Sequence, residues 1–97
     1  MIVRIVRMHF VPEAVDEFLD IYGRTEAAIL NMNGCSYLKL LRDTEDPDVF
    51  VTISHWETTR ALDNYRKSEL FKSVWRRVKV HFSKPAEAFS LEEHAGT

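Results

Sequence analysis

Trp56, Tyr65, Phe71 and Trp75 are the residues whose types and spacing best suit chemistry on a small molecule. Their strand and helical spacings aim them at the space between a sheet and its helices. Two tryptophans and a tyrosine are a large aromatic load for a short chain, and their N–H and O–H groups need partners when buried. They are either core or the wall of a flat, partly polar pocket for an aromatic ligand. Other chemistries find less support. Gly23, Gly34 and Gly96 are the only glycines, so a phosphate-cradling loop is excluded, and no G-x-S-x-G elbow exists. His9, His55, His81 and His94 lack any close ligand spacing. His9 and His55 share a strand parity but belong at opposite ends of antiparallel strands, so no metal site is expected. His55 as a lone general base competes with a plainer reading, a strand histidine at a dimer face. The acidic run Asp43–Asp48 lacks the glycine and closing glutamate of a calcium loop and reads as a solvated turn. Cys35 is the only cysteine, which excludes an intrachain disulfide and a Cys-rich zinc site. No Ser-His-Asp or Cys-His arrangement can be assembled.

These residues need a scaffold, and the chain supplies one domain's worth in its 97 residues. Apolar residues at 45% and charged residues at 29% suit a folded protein and are too apolar for disorder. A net charge of -2 selects neither nucleic acid nor an anionic membrane. The segment 66–84 is locally basic, with Arg66, Lys67, Lys72, Arg76, Arg77, Lys79 and Lys84 against Glu69. No aromatic residues interleave those charges, so a solvated face is expected rather than a nucleic-acid surface. No run approaches the roughly 18 apolar residues of a membrane span. Met1 to Arg4 opens straight into alternating residues rather than a signal sequence, so a cytoplasmic location is expected.

Residues 2–10 (IVRIVRMHF) are rich in β-branched types and predict a strand. Pro12 suits a helix start, and Glu13, Asp16 and Glu17 complement its dipole. Val15, Phe18, Leu19, Tyr22 and Ile29 form its apolar stripe, which weakens at Thr25 and Glu26 and predicts a bend or break near Gly23. Gly34 is the stop signal. Strands are expected at 35–42 and 49–56, joined as a hairpin by the Asp- and Pro-rich turn. Thr58 and Ser68 can each cap a helix. Phe71, Val74, Trp75, Val78 and Phe82 give the second of these the clearest amphipathic pattern in the chain, and Pro85 bars its continuation. Residues 86–91 suggest a last strand, with a frayed tail over 92–97. The order βαββαβ predicts one α+β, ferredoxin-like domain over 1–97, with a core of about 1–91 and an antiparallel four-stranded sheet under helices on one face. Val3, Ile5, Val51 and Ile53 would then be left on the bare face, together with Arg7, His9 and His55. A second copy covering it, as a homodimer, is the economical solution.

The run 46–58 (DPDVFVTISHWET), followed by Ala61, Leu62, Tyr65, Ser68 and Phe71, resembles the antibiotic biosynthesis monooxygenase family. Its members carry a hairpin ending in Trp-Glu-Ser/Thr, then Ala-Leu, a His or Tyr, a Ser and an apolar residue. Pro12, Phe18 and Gly34 fit as well, and the resemblance covers about residues 1–83. It implies a dimeric α+β barrel. It also implies that the strand face of Thr52, Ser54 and Trp56, closed by Leu62, Tyr65, Phe71 and Trp75, is a ligand pocket. In a polyketide oxygenase of the family, an Asn, a Trp and a Tyr face the substrate. Here Trp56 matches, while Thr52 and Leu62 replace the Asn and the Tyr, and Ser54 replaces a common Glu. The haem-degrading members need an Asn, a Trp and a His where this chain has Val6, Tyr65 and Trp75, so haem ligation by that histidine is lost. The implied activity is a cofactor-independent monooxygenation of a hydroxylated aromatic or quinol, with no cofactor and with Thr52, Ser54 and the Trp56 indole as hydrogen-bond donors. The alternative is a small-molecule binding protein on the same fold without catalysis, suggested by the missing Asn, Tyr and Glu. Neither nucleic acid nor membrane is expected as a partner.

Overall fold

The computed structural model describes residues 1–95. Its elements run β1 (Ile2–Phe10), a 3-10 turn (Pro12–Ala14), α1 (Val15–Leu30), β2 (Cys35–Arg42), β3 (Val49–Trp56), α2 (Thr59–Lys67), α3 (Glu69–Lys79) and β4 (Phe82–Glu92). The four strands form one antiparallel sheet in the order β2-β3-β1-β4. This is the expected ferredoxin-like α+β arrangement. Among the described residues no helix is long and apolar enough to cross a membrane.

Two local expectations give way. First, α1 is continuous through Gly23. Thr25 faces the core rather than interrupting it: it is buried, and its hydroxyl donates to the Ile21 carbonyl at 2.9 Å. The stripe therefore runs Val15, Phe18, Ile21, Thr25, Ile29 without a gap. Second, α3 ends at Lys79, and Phe82 opens β4 opposite Phe10 instead of closing the helix stripe. The last strand is thus longer than residues 86–91. Pro85 is accommodated inside it because β4 is an edge strand and its register against β1 shifts between the Arg7 and His9 pairings. Of the tail expected to fray, Glu92 closes β4 and residues 93–95 are exposed beyond it. Gly96 and Thr97 lie outside the described residues.

The core lies between the sheet and α1 and α3. Phe10 stacks on Phe18 at 4.2 Å between ring centroids, and Phe50 packs on Phe18 at 5.4 Å. Met8, Val15, Ile21 and Val78 complete the buried cluster. Phe50 shares a strand face with Thr52 and Ser54 but belongs to this cluster, with the Arg42 guanidinium 4.9 Å above its ring. The opposite sheet face is bare. Register places Tyr37, His55, Val3 and Leu91 in one row, and Lys39, Ile53, Ile5 and Phe89 in the next. Phe89 and Leu91 are 48% and 51% exposed there. His55 stacks on Tyr37 at 4.5 Å on this face, away from the helices, and His9 bonds Glu87 at 3.1 Å.

Candidate functional site

Two hydroxyl caps build the helical wall of the site. Thr58 Oγ1 accepts from the Ala61 N–H at 3.0 Å and starts α2. Ser68 both ends α2 and starts α3: its hydroxyl donates to the Tyr65 carbonyl at 2.6 Å and accepts from the Phe71 N–H at 3.1 Å. One side chain thus satisfies groups at two helix ends and fixes the corner from which Tyr65 and Phe71 project. Gly34, at φ +86°, lets the start of β2 pass against Ala61, where an added Cβ would stand 2.5 Å from the Ala61 Cβ.

From that corner the rings form a continuous chain. Tyr65 stacks on Trp56 with centroids 4.8 Å apart. Phe71 meets Tyr65 edge-on at 5.2 Å and stacks on Trp75 at 5.9 Å, and Trp75 meets Phe82 edge-on at 5.5 Å. These geometries are the ones the ring quadrupole favours.

Beneath the chain of rings lies a cavity of about 320 Å³. The sheet contributes Arg4, Val6, Thr52 and Ser54, α1 contributes Tyr22, Thr25 and Ile29, and the two short helices contribute Leu62, Tyr65, Arg66, Phe71 and Trp75. Of the residues expected at a ligand pocket, Thr52, Ser54, Leu62, Tyr65, Phe71 and Trp75 therefore border one space. Trp56 does not. It is fully buried behind Tyr65, and its indole N–H is already committed to Ser54 Oγ at 2.9 Å. Strand parity assigns Trp56 to the correct face of β3 but leaves its depth undetermined. The bond leaves a consequence at Ser54. Its oxygen is engaged as an acceptor, so its own hydrogen is the group left to point at a neighbour.

Three bordering residues escape a reading of the sequence, although each leaves a trace there. Arg4 is a charge on the otherwise apolar parity Ile2, Val6, Met8, Phe10. It is partly buried, donates to Ser90 Oγ at 3.1 Å, and is held below the ordinary guanidinium pKa by burial and then by the nearby Arg66 charge. Arg66 belongs to the basic segment, but unlike Lys72, Arg76 and Lys79 it borders the cavity, is exposed, and is near enough to act on Arg4 through its charge. Neither arginine forms a salt bridge among the described residues. The third is Tyr22. Its hydroxyl is buried with no partner in good hydrogen-bond geometry, and burial first, then a loose hydrogen-bonding contact with the Glu26 carboxylate one turn on, pushes its pKa well above that of a free phenol. A buried hydroxyl left unpaired in a cavity wall is a group that a bound molecule can satisfy. Burial likewise raises Tyr65 to about 12, so both phenols are neutral donors at ordinary pH.

The wall is thus aromatic and aliphatic, with hydroxyl-bearing residues at Thr52, Ser54, Tyr22 and Tyr65 and the guanidinium groups of Arg4 and Arg66. Among the described residues it contains no Asp, Glu, His, Lys or Cys. The arrangement can sandwich a flat ring, donate hydrogen bonds to its oxygens and attract negative charge. It carries no side chain that would act as a base at neutral pH.

Solved structures with the same fold include an antibiotic biosynthesis monooxygenase, at 24% identity over 97% of this chain and 99% of that one, with a TM-score of 0.91. A conserved protein from Methanosarcina mazei Go1 superposes with a TM-score of 0.91 at 21% identity, over 97% of this chain and 94% of that one. A protein from Mycobacterium tuberculosis does so at 0.87 and 18% identity, over 98% of both chains. At these identities the likeness shows the fold alone. No curated protein matches the chain significantly. The family model for antibiotic biosynthesis monooxygenase, however, matches residues 1–77, which is most of the chain and includes every bordering residue named above. The chain belongs to the antibiotic biosynthesis monooxygenase family.

Proposed function

We propose that this protein is a cofactor-independent monooxygenase for a small hydroxylated aromatic or quinol, bound in the cavity between the sheet and the helices. The observation that carries the reading is the cavity itself. Its 320 Å³ is at the small end of ligand sites, and Tyr65, Phe71 and Trp75 line it beside a row of hydroxyl donors. Such a site binds a flat ring of modest size and excludes water from it. The chemistry proceeds from the ionised ring, which transfers one electron to dioxygen. The resulting radical pair joins through a C–O bond, and loss of water from the peroxide leaves a carbonyl. One oxygen atom ends in the product and the other in water. The substrate supplies all four electrons, so no external reductant is consumed. Tyr22, Tyr65, Thr52 and Ser54 hold the ring oxygens and stabilise the charge that develops on them.

Oxygen uptake with a panel of anthrones, naphthols and quinols tests this. Consumption of one dioxygen per substrate, without added reductant and reduced at least tenfold by Phe71→Ala, is expected. No uptake with any member of the panel removes the catalytic reading.

The absence of any carboxylate, imidazole or amine from the wall favours a second reading, a binding protein of the same fold that performs no turnover. A compound that raises the melting temperature and is recovered unchanged after incubation in air supports this reading over the first. Either reading includes a homodimer. The bare sheet face carries Val3, Ile5, Val51 and Ile53 at its centre, with Phe89 and Leu91 protruding, and a second copy is the occupant its mixed apolar and charged rows suit.

A further inference from the structure

We infer that Arg4 and Arg66 take the place of a general base, holding the hydroxyl of a bound phenol as its anion at the mouth of the cavity. The inference rests on the reading of the cavity as a site for a hydroxylated ring. It is carried by charge and position. The two guanidinium groups border the same cavity, one on β1 and one on α2, and among the described residues they are the only charged side chains in its wall. Arg7 and Arg24 have acid partners, Asp43 at 3.5 Å and Asp20 at 3.0 Å, whereas the other exposed arginines, such as Arg76, stand on outer surfaces in water. Arg4 and Arg66 instead border one space, and no acid among the described residues offsets the partial burial of Arg4 or the nearby Arg66 charge; the one side-chain partner of Arg4 is the neutral Ser90 hydroxyl. An anion between them relieves both costs. A guanidinium offers several fixed N–H donors and does not itself deprotonate, so it stabilises an oxyanion without competing as its acid.

The other titratable groups near this end strengthen the case. Tyr22 and Tyr65 border the cavity as neutral phenols, raised by burial, and donate without adding charge. Glu26, one turn on from Tyr22, interacts with that phenol but does not border the cavity. Among the described residues no carboxylate borders the space to neutralise the pair. The proton released on binding has an open route, because Arg66 is exposed at the mouth and water reaches it. The step is therefore a plain ionisation: the O–H bond breaks, its electron pair stays on the phenol oxygen, and the proton passes to bulk water. A site that shifts the ionisation of its substrate needs no base of its own. This explains how a cavity free of carboxylate and imidazole can still prepare a ring for reaction with dioxygen.

The test is spectroscopic and needs no turnover. 4-Nitrophenol and 4-nitro-1-naphthol, whose ionised forms are yellow, are titrated between acid and neutral pH with and without the protein. An opposite charge within hydrogen-bonding range lowers a pKa by about 1 to 3 units, and the apolar walls take back part of that, so a downward shift of about 1 to 2 units is expected for the bound probe. Arg66→Met, at an exposed position, should return at least half of the shift. Arg4→Met should return more, and added salt should weaken the effect. Arg76→Met, which removes the same charge from the outer surface of α3, should leave the shift intact. Binding without a shift, or a shift indifferent to both cavity arginines, overturns the inference while leaving the cavity as a ligand site. Failure of every probe to bind, by competition and by thermal shift, overturns the cavity reading and the inference with it.

Discussion

Ser54 shows how one hydroxyl can join packing to a site. Trp56 is buried under Tyr65, and its indole N–H has one partner, Ser54 Oγ. Replacing Ser54 by Ala leaves that N–H buried without an acceptor, which costs about 1–3 kcal/mol. Urea denaturation of Ser54→Ala should show this loss, and Ser54→Thr, which keeps an oxygen, should recover much of it. The tyrosines give a pH expectation at the same scale. Burial raises Tyr65 from 10.0 to about 12 and raises Tyr22 further in the same direction. A group whose folded-state pKa is raised contributes its full stability below the unfolded value and loses it as pH climbs through the folded one. Stability should therefore hold up to about pH 10 and fall between pH 10 and 12. Absorbance of tyrosinate followed against pH should show two late-titrating phenols, the earlier of which Tyr65→Phe removes.

Among the elements, α1 and the start of β2 use glycine for opposite reasons. Gly23 lies on the exposed side of α1 with no atom within 4 Å of an added Cβ, and it has no positive φ. Nothing there requires a glycine, and alanine costs less backbone entropy in a helix. Gly23→Ala should stabilise the protein by about 0.5–1 kcal/mol, read as a higher denaturation midpoint at unchanged slope. Gly34 is the reverse case. Its φ of +86° and the 2.5 Å approach to the Ala61 Cβ both oppose a side chain. Gly34→Ala should destabilise by about 1–3 kcal/mol from backbone strain alone, with the clash added. Combining it with Ala61→Gly should relieve the clash but leave the strain. Because Ala61 opens α2, the single variant should also displace Tyr65 and weaken any ring bound beneath it.

At the scale of the whole molecule, the sheet divides two environments. The helix side is filled by a phenylalanine cluster at one end and the cavity at the other. On the far side, among the described residues, Tyr37, Leu41, Phe89 and Leu91 are all exposed around Ile5, Ile53, Val3 and Val51. Fully burying an aliphatic or aromatic side chain contributes about 1.5–3 kcal/mol. Several together are comparable with the roughly 5–15 kcal/mol that holds a domain folded. Association through this face is expected, with Arg7, His9 and Glu87 forming a polar margin at one end. Ile53→Asp places a charge at its centre and should abolish the folded dimer rather than only reduce ligand binding. Sedimentation of the unaltered protein as a well-folded monomer at micromolar concentration would contradict this.

Local signals in the sequence were enough to determine β1, β2, β3, the hairpin between the latter two, and the two helix starts at Thr58 and Ser68. Each depends on neighbours a few residues away: alternation along a strand, an Asp- and Pro-rich turn, a hydroxyl three residues before the amide it caps. Features resting on distant partners were settled only by the tertiary structure. Thr25 reads as an interruption of α1 until its hydroxyl is seen returning to the Ile21 carbonyl inside the core. Phe82 reads as the end of a helix stripe until β1 offers it a strand partner in Phe10, and Pro85, which rules out a helix there, falls inside a strand only because the register shift at an edge accommodates it. Trp56 differs again, because a period of two assigns a side chain to a face but not to a layer, and packing put Tyr65 in front of it. Arg4 and Arg66 border one cavity for the same reason: antiparallel pairing and the α2 corner bring to one space charges that are remote in the chain, and no local pattern encodes that placement.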